Sequence, residues 1–142
     1  MAVVFAVRPG GSIMTPHPGE FKRLVGVWKD DLAKHQRLIS LSKQHRITVV
    51  LKGANTAIST PDGKIYFNST GNPGMAKGGS GDVLTGIITA LLAQAYTSEQ
   101  AAILGTFIHG RAGDIAASAL GQTGITARDI IQFLPEAFAG FE

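Results

Sequence analysis

The sequence predicts an α/β domain in which short buried strands alternate with helices. Two observations carry this. A helical pattern over residues 30–45 runs straight into Ile-Thr-Val-Val-Leu at 47–51, a β-branched stretch, and helix followed by strand at this spacing is half of a βαβ unit. Further on, a loop with glycines at 71, 74, 78, 79 and 81 empties into an apolar segment. There Val83, Leu84, Ile87, Ile88, Leu91, Leu92 and Ala95 recur at the spacing of a helix with one buried face.

Composition agrees with a packed chain. The 142 residues are 44% hydrophobic and 16% charged, a mix that suits one domain, or part of a larger one, and argues against disorder. There is no cysteine, which excludes disulfides, thiolate chemistry and Cys-ligated zinc. No secretory pattern opens the chain, and the most apolar helical segment is interrupted by Thr85, Gly86, Thr89 and Gln94. The expectation is a cytoplasmic protein with no membrane partner. The formal charge of +3 and pI near 9.5 raise the question of nucleic acid. Most of the Lys and Arg lie at or before Lys52 among acidic neighbours, with no nucleic-acid motif and few aromatics. A solvated basic face is the reading, with no nucleic-acid partner.

The elements follow in order. Residues 2–7 form a short apolar run ended by Arg8-Pro9-Gly10-Gly11. Ser12-Ile13-Met14 suits a short buried strand. Thr15-Pro16-His17-Pro18-Gly19-Glu20 stops it, because two prolines in three residues impose extended backbone, and a helix starts near Gly19. His17 thereby falls at a strand end, where open parallel sheets bind ligands. It is either a ligand-facing group or a solvated loop residue.

The helix at 30–45 carries Asp30 and Asp31 at its start and Lys43, His45 and Arg46 at its end, as the helix dipole favours. After the strand at 47–51, Lys52-Gly53-Ala54-Asn55-Thr56 gives a small, polar strand end. Pro61-Asp62-Gly63 then predicts a hairpin between 57–60 and 65–68. Beyond the glycine loop, Thr97 and Gln100 fit a capping box opening a helix to about Leu120, whose Gly105, Gly110 and Gly113 imply close packing. His109, Arg111 and Asp114 within it read first as packing and helix-surface residues, with a ligand role as the alternative. Thr126 and Asp129 cap a last helix, which Pro135 kinks or interrupts.

The glycine loop is the chemical centre of this pattern. Without side-chain bulk, and able to take positive φ, it delivers the free N–H groups and positive dipole of a helix start, which suit phosphate. Asp82 at that mouth either favours the helix start or acts chemically, as a base or beside a metal. The Gly79-Ser80-Gly81 approach favours the chemical reading.

Three segments together, Thr15-Pro16-His17-Pro18-Gly19-Glu20-Phe21, Lys52-Gly53-Ala54-Asn55-Thr56 and Gly71-Asn72-Pro73-Gly74-Met75-Ala76-Lys77-Gly78-Gly79-Ser80-Gly81-Asp82, closely resemble the ADP/ATP-dependent NAD(P)H-hydrate dehydratases, a branch of the ribokinase-like superfamily. Gly-Ser-Gly-Asp alone is specific only to the superfamily. The Pro-His-Pro-Gly-Glu corner and the Asn-Pro-Gly-Met-Ala preamble narrow it. The match spans essentially the whole chain, including Phe-Ile-His-Gly-Arg-Ala-Gly-Asp from Phe107.

The resemblance implies a ribokinase-like fold, with residues 1–142 as the C-terminal portion of a single domain, a largely parallel sheet flanked by helices, and the N-terminal half absent. It implies nucleotide-dependent dehydration of C6-hydrated NADH or NADPH, by phosphorylation of the hydroxyl and elimination of phosphate. Asp82 would deprotonate that hydroxyl and contact the hydrate, and His17 would line the hydrate site. Lys52, Gly53, Ala54, Asn55 and Thr56 would hold ADP or ATP, and Gly79, Ser80 and Gly81 would form the anion hole, with Gly81 meeting the phosphates. Mg2+ would accompany the nucleotide, with no protein ligand assigned. A sheet lacking its other half calls for a homo-oligomer or the missing half as partner. Two alternatives stay open: a ribokinase-like small-molecule kinase, and a nucleotide-binding half-domain without activity of its own.

Overall fold

The structure is a computed structural model and describes residues 11–141; the apolar run at 2–7 lies outside them. The chain runs β1 (Ile13–Met14), α1 (Pro18–Val25), α2 (Asp31–His45), β2 (Thr48–Leu51), β3 (Ala57–Ser59), β4 (Ile65–Phe67), a 3-10 turn (Pro73–Met75), α3 (Ser80–Ala93), α4 (Ser98–Leu120), α5 (Ala127–Gln132) and α6 (Leu134–Ala139). The strands form one sheet in the order β1-β2-β3-β4. β1 and β2 are parallel, in the register Ile13 to Thr48. β2–β3 and β3–β4 are antiparallel.

The α/β expectation therefore holds, but the described sheet is mixed rather than largely parallel. The reason is local. Pro61-Asp62-Gly63, with Gly63 at φ 88°, returns the chain at once from β3 to β4, and a parallel partner would need a crossover of a dozen residues.

Alternation along the strands sends side chains to two cores. Val49, Leu51 and Ala57 pack with Phe21, Leu38 and Leu41 beneath α1 and α2. Val50 and Ile58 pack with Leu84, Ile87, Ile88 and Leu91 of α3 and with Ala101 and Ala102 of α4. The result is a sheet between two helical layers, and all four residues of β2 are buried, as in a strand covered on both faces.

Helix starts follow the sequence closely. Asp30 caps α2 by accepting from Ala33 N at 2.8 Å, and Arg46, left-handed at φ 53°, closes it. Capping boxes open α4 at Thr97 and α5 at Thr126. Pro135 sits in the first turn of α6, so the segment after Thr126 is two short helices joined at Phe133. The glycines of α4 mark close approaches: a Cβ on Gly105 would lie 2.8 Å from Ile88, and Cβ atoms on Gly110 and Gly113 would strike Thr70 and Met75.

Candidate active site

A cavity of about 710 Å³ opens where the three sequence segments converge. The parallel pair sets its base: β1 and β2 end side by side, and Lys52 N donates to Pro16 O at 2.9 Å. The strand ends thus hold His17 and the Lys52 loop together, at the carboxyl edge where α/β sheets take ligands.

His17 lines the cavity and also has a structural task. It caps α1, its Nδ1 accepting from Gly19 N at 3.0 Å and Glu20 N at 3.2 Å, while its own N–H donates to the Glu20 carboxylate at 2.8 Å. That bond from the His17 backbone is the main reason the Glu20 carboxyl lies below its ordinary pKa. With Nδ1 accepting, the neutral ring carries its proton on Nε2.

The glycine loop is pinned from α4. Asp114 accepts from Gly71 N at 2.9 Å and from Asn72 Nδ2 at 2.8 Å. Asn72 Oδ1 in turn accepts from Gly74 N at 3.0 Å. Thr70 Oγ1 donates to Phe107 O at 2.9 Å, and Lys77 Nζ donates to Thr123 O. Gly79 then takes φ 88° as the residue before α3, a left-handed turn that a Cβ would strain. α3 starts there without a side-chain cap, whereas His17, Asp30, Thr97 and Thr126 cap α1, α2, α4 and α5. Ser80 N donates to Lys77 O at 3.3 Å and Val83 N to Gly79 O at 3.1 Å, which leaves the N–H groups of Gly81 and Asp82 as the first-turn donors without a partner inside the helix.

Of the residues the sequence singled out, His17, Lys52, Gly53, Ala54, Thr56, Ser80 and Gly81 line this cavity. Asn55 lines a neighbouring cavity of about 590 Å³, beside Trp28, His35 and Phe67. Gly79 shapes the turn and lines neither. Asp82, the third residue of α3, is exposed and lines neither.

The electrostatics have one sign. Lys52 and Lys77 line the cavity, and among the described residues no carboxylate does. A Cβ on Gly81 would lie 3.1 Å from Lys52 Nζ, so the ammonium rests over the uncapped start of α3. An ammonium facing the positive end of a helix is unfavourable alone and favourable with an anion between them. Among the described residues no group of three or more His, Asp or Glu is placed to hold a metal ion.

Sequence reasoning missed several contributors. Sequence alone favours packing or helix-surface roles for His109 and Asp114 over a ligand role. Instead His109 lines the cavity, its Nε2 lying 3.3 Å from Ser80 Oγ, and Asp114 fastens the loop. Burial is the main cause that lowers the His109 pKa to about 4, with Lys52 adding to it and a backbone contact of Ser80 opposing. The available signal was spacing: Thr106, His109, Gly110 and Gly113 repeat at i, i+3, i+4, i+7 on one face.

This arrangement is a ribokinase-like fold with an uncapped helix start beside the cavity. A hydroxyethylthiazole kinase from Pyrococcus horikoshii shares the fold at TM-score 0.76 and 14% identity, over 90% of this chain and 52% of that one. The chain belongs to the NAD(P)H-hydrate dehydratase family, whose model matches residues 3–136. It is 44% identical over 135 residues to the bifunctional NAD(P)H-hydrate repair enzyme Nnr of Moorella thermoacetica, covering 94% of this chain and 26% of that protein. The ADP/ATP-dependent NAD(P)H-hydrate dehydratase of Bacillus subtilis, co-crystallised with ATP and Mg2+, superposes at TM-score 0.87 and 35% identity, over 96% of this chain and 50% of that one. The chain thus spans about a quarter and a half, respectively, of these two relatives.

Proposed function

We propose that the protein to which this chain contributes dehydrates C6-hydrated NADH or NADPH back to NAD(P)H, at the expense of ADP or ATP, in the cytoplasm. One observation carries the reading. The Lys52 ammonium lies over an uncapped helix start on the wall of a cavity that no carboxylate lines among the described residues, a geometry that suits the phosphates of a nucleotide. Names of the relatives supply the substrate class: one is a hydrate repair enzyme and another an ADP/ATP-dependent dehydratase.

In this scheme Lys52, Gly53, Ala54, Asn55 and Thr56 hold the nucleotide, and the Gly79-Ser80-Gly81 turn forms the anion hole, with the Gly81 backbone meeting the phosphates. The hydrate's C6 oxygen attacks the terminal phosphorus and loses its proton to Asp82. The bond from that phosphorus to the nucleotide breaks; C6 then releases phosphate, a better leaving group than hydroxide, and the neighbouring ring carbon gives up a proton to water as the carbon–carbon double bond of the reduced ring is restored. Asp82 is exposed and follows the cavity-lining Gly81 without lining the cavity itself, which suits a group that meets the second substrate. His17 lies on the same carboxyl edge, toward the hydrate. Mg2+ fits as an ion held chiefly by phosphates and water, neutralising charge on the transferring group. The partner that completes the site is a further copy of the chain or the other half of the domain.

Hydrated NADH incubated with ADP or ATP and Mg2+ tests this. Recovery of the reduced-nicotinamide absorbance with release of phosphate is expected. A stable phosphorylated product would mean a small-molecule kinase instead. Nucleotide binding without turnover, in a protein that includes the other half of the domain, would mean a binding module.

A further inference from the structure

α3 is a long helix whose start has no side chain of its own to cap it. Its first residue, Ser80, is nonetheless only 7% exposed, and the contact on its hydroxyl comes from another helix: His109 Nε2 of α4, at 3.3 Å. α4 is a firm base for such a contact, since Gly105 seats it against Ile88 of α3 and Gly110 seats it against Thr70. Thr106, one turn earlier on the same face, is 3% exposed and its hydroxyl has no hydrogen-bond partner. His109 is therefore the polar tie that this face of α4 gives to the α3 start.

We propose that His109 is a positioning residue that holds Ser80, and through it the first turn of α3, in the orientation in which its N–H groups meet a bound phosphate. The ligand part rests on the nucleotide reading above; the tie itself does not. An imidazole suits the task because, neutral, it can serve a hydroxyl as donor or acceptor without placing a second positive charge beside Lys52. The tautomer then follows from which way the Ser80 hydroxyl points.

Two readouts separate the tie from its use. The first is amide hydrogen exchange at Val83, whose N–H closes the first turn onto Gly79 O at 3.1 Å. Exchange there is expected to rise about tenfold or more in His109→Leu, with β2 and α2 unchanged. His109→Gln, whose amide reaches the Nε2 position, should restore protection. Unchanged exchange in His109→Leu overturns the proposal, and so does equal loss in both variants, which would make ring volume the cause. Should His109→Leu fail to fold, Ser80→Ala removes the hydroxyl contact from the other side, leaves the Ser80 backbone contact, and should raise exchange by a smaller factor; unchanged exchange there overturns the hydroxyl tie.

The second readout is MgADP affinity, expected to fall about tenfold in His109→Leu and to recover in His109→Gln. An unchanged affinity in His109→Leu overturns the positioning of phosphate. Wild-type protein that takes no MgADP, with the exchange contrast intact, overturns the nucleotide reading and supports the tie.

Discussion

Below neutral pH, His109 works against the fold. Its pKa is lowered from 6.5 to about 4, first by burial and then by Lys52. The unfolded chain therefore binds a proton in a range where the folded chain does not, and stability falls with pH. The contribution is whole above about 6.5 and is lost progressively down to about 4. A difference of that size corresponds to roughly 3 kcal/mol at its limit. Stability measured in urea from pH 7.5 to pH 4 should therefore decline less in His109→Gln than in wild type; parallel curves would show that His109 is not the group responsible. Two further residues separate binding from chemistry. Asp82→Asn keeps the shape of an exposed side chain outside the cavity, so nucleotide affinity should hold while turnover falls by about a hundredfold or more. Lys52→Ala removes the ammonium over Gly81 and should weaken MgADP about tenfold or more, read by calorimetric titration. The sequence names Lys52 and Asp82 as candidates and names His109 as well, but not the contact His109 makes, because Ser80 stands 29 positions away and only the packing of α3 on α4 brings them together.

At the scale of the element, caps and breaks were legible wherever a side chain acts on its own backbone. Asp30, Thr97 with Gln100, and Thr126 with Asp129 sit where expected, since such bonds reach only two or three residues and leave a trace in spacing. The cap on α1 escaped notice: histidine is not among the residues that usually cap helices, and the two prolines drew the reading toward a rigid corner. Glycines show the same divide. Their enrichment in α4 signalled close packing, but not which neighbour each one meets. Gly110 leaves no room for a methyl beside Thr70, whereas Gly86, in the middle of α3, has nothing within 4 Å of where a Cβ would stand. Gly110→Ala should cost about 1–3 kcal/mol through overpacking. Gly86→Ala should gain roughly 0.5–1 kcal/mol by restricting the unfolded chain and favouring helix. Melting temperatures moving in opposite directions would confirm the pair of effects, and a stabilised Gly110→Ala would refute the close contact.

For the whole molecule, the α/β class came through because local patterns, a helix-period run beside a β-branched run, survive any arrangement of the pieces. Strand direction did not come through as readily. The Pro61-Asp62-Gly63 turn spoke for an antiparallel return, and that local signal prevailed for three of the four strands, while the family likeness pointed to a parallel sheet. Direction depends on how the chain crosses the sheet, a property of connections longer than any one motif. The cavity stood between these cases: its three main segments could be named from residues alone, and their meeting could not.

The walls of that cavity come from stretches far apart along the chain, at His17, at Lys52 to Thr56, along the glycine loop and at Thr106 to Gly110. No one of them encloses the space, so the unfolded chain has nothing with which to grip a ligand. Whatever fills the cavity acts as a non-covalent staple across the fold. Ligand at a hundred times its dissociation constant would add about 2.7 kcal/mol to the unfolding free energy by mass action alone. A scarcity of that ligand would then leave a softer, more readily degraded form of the molecule.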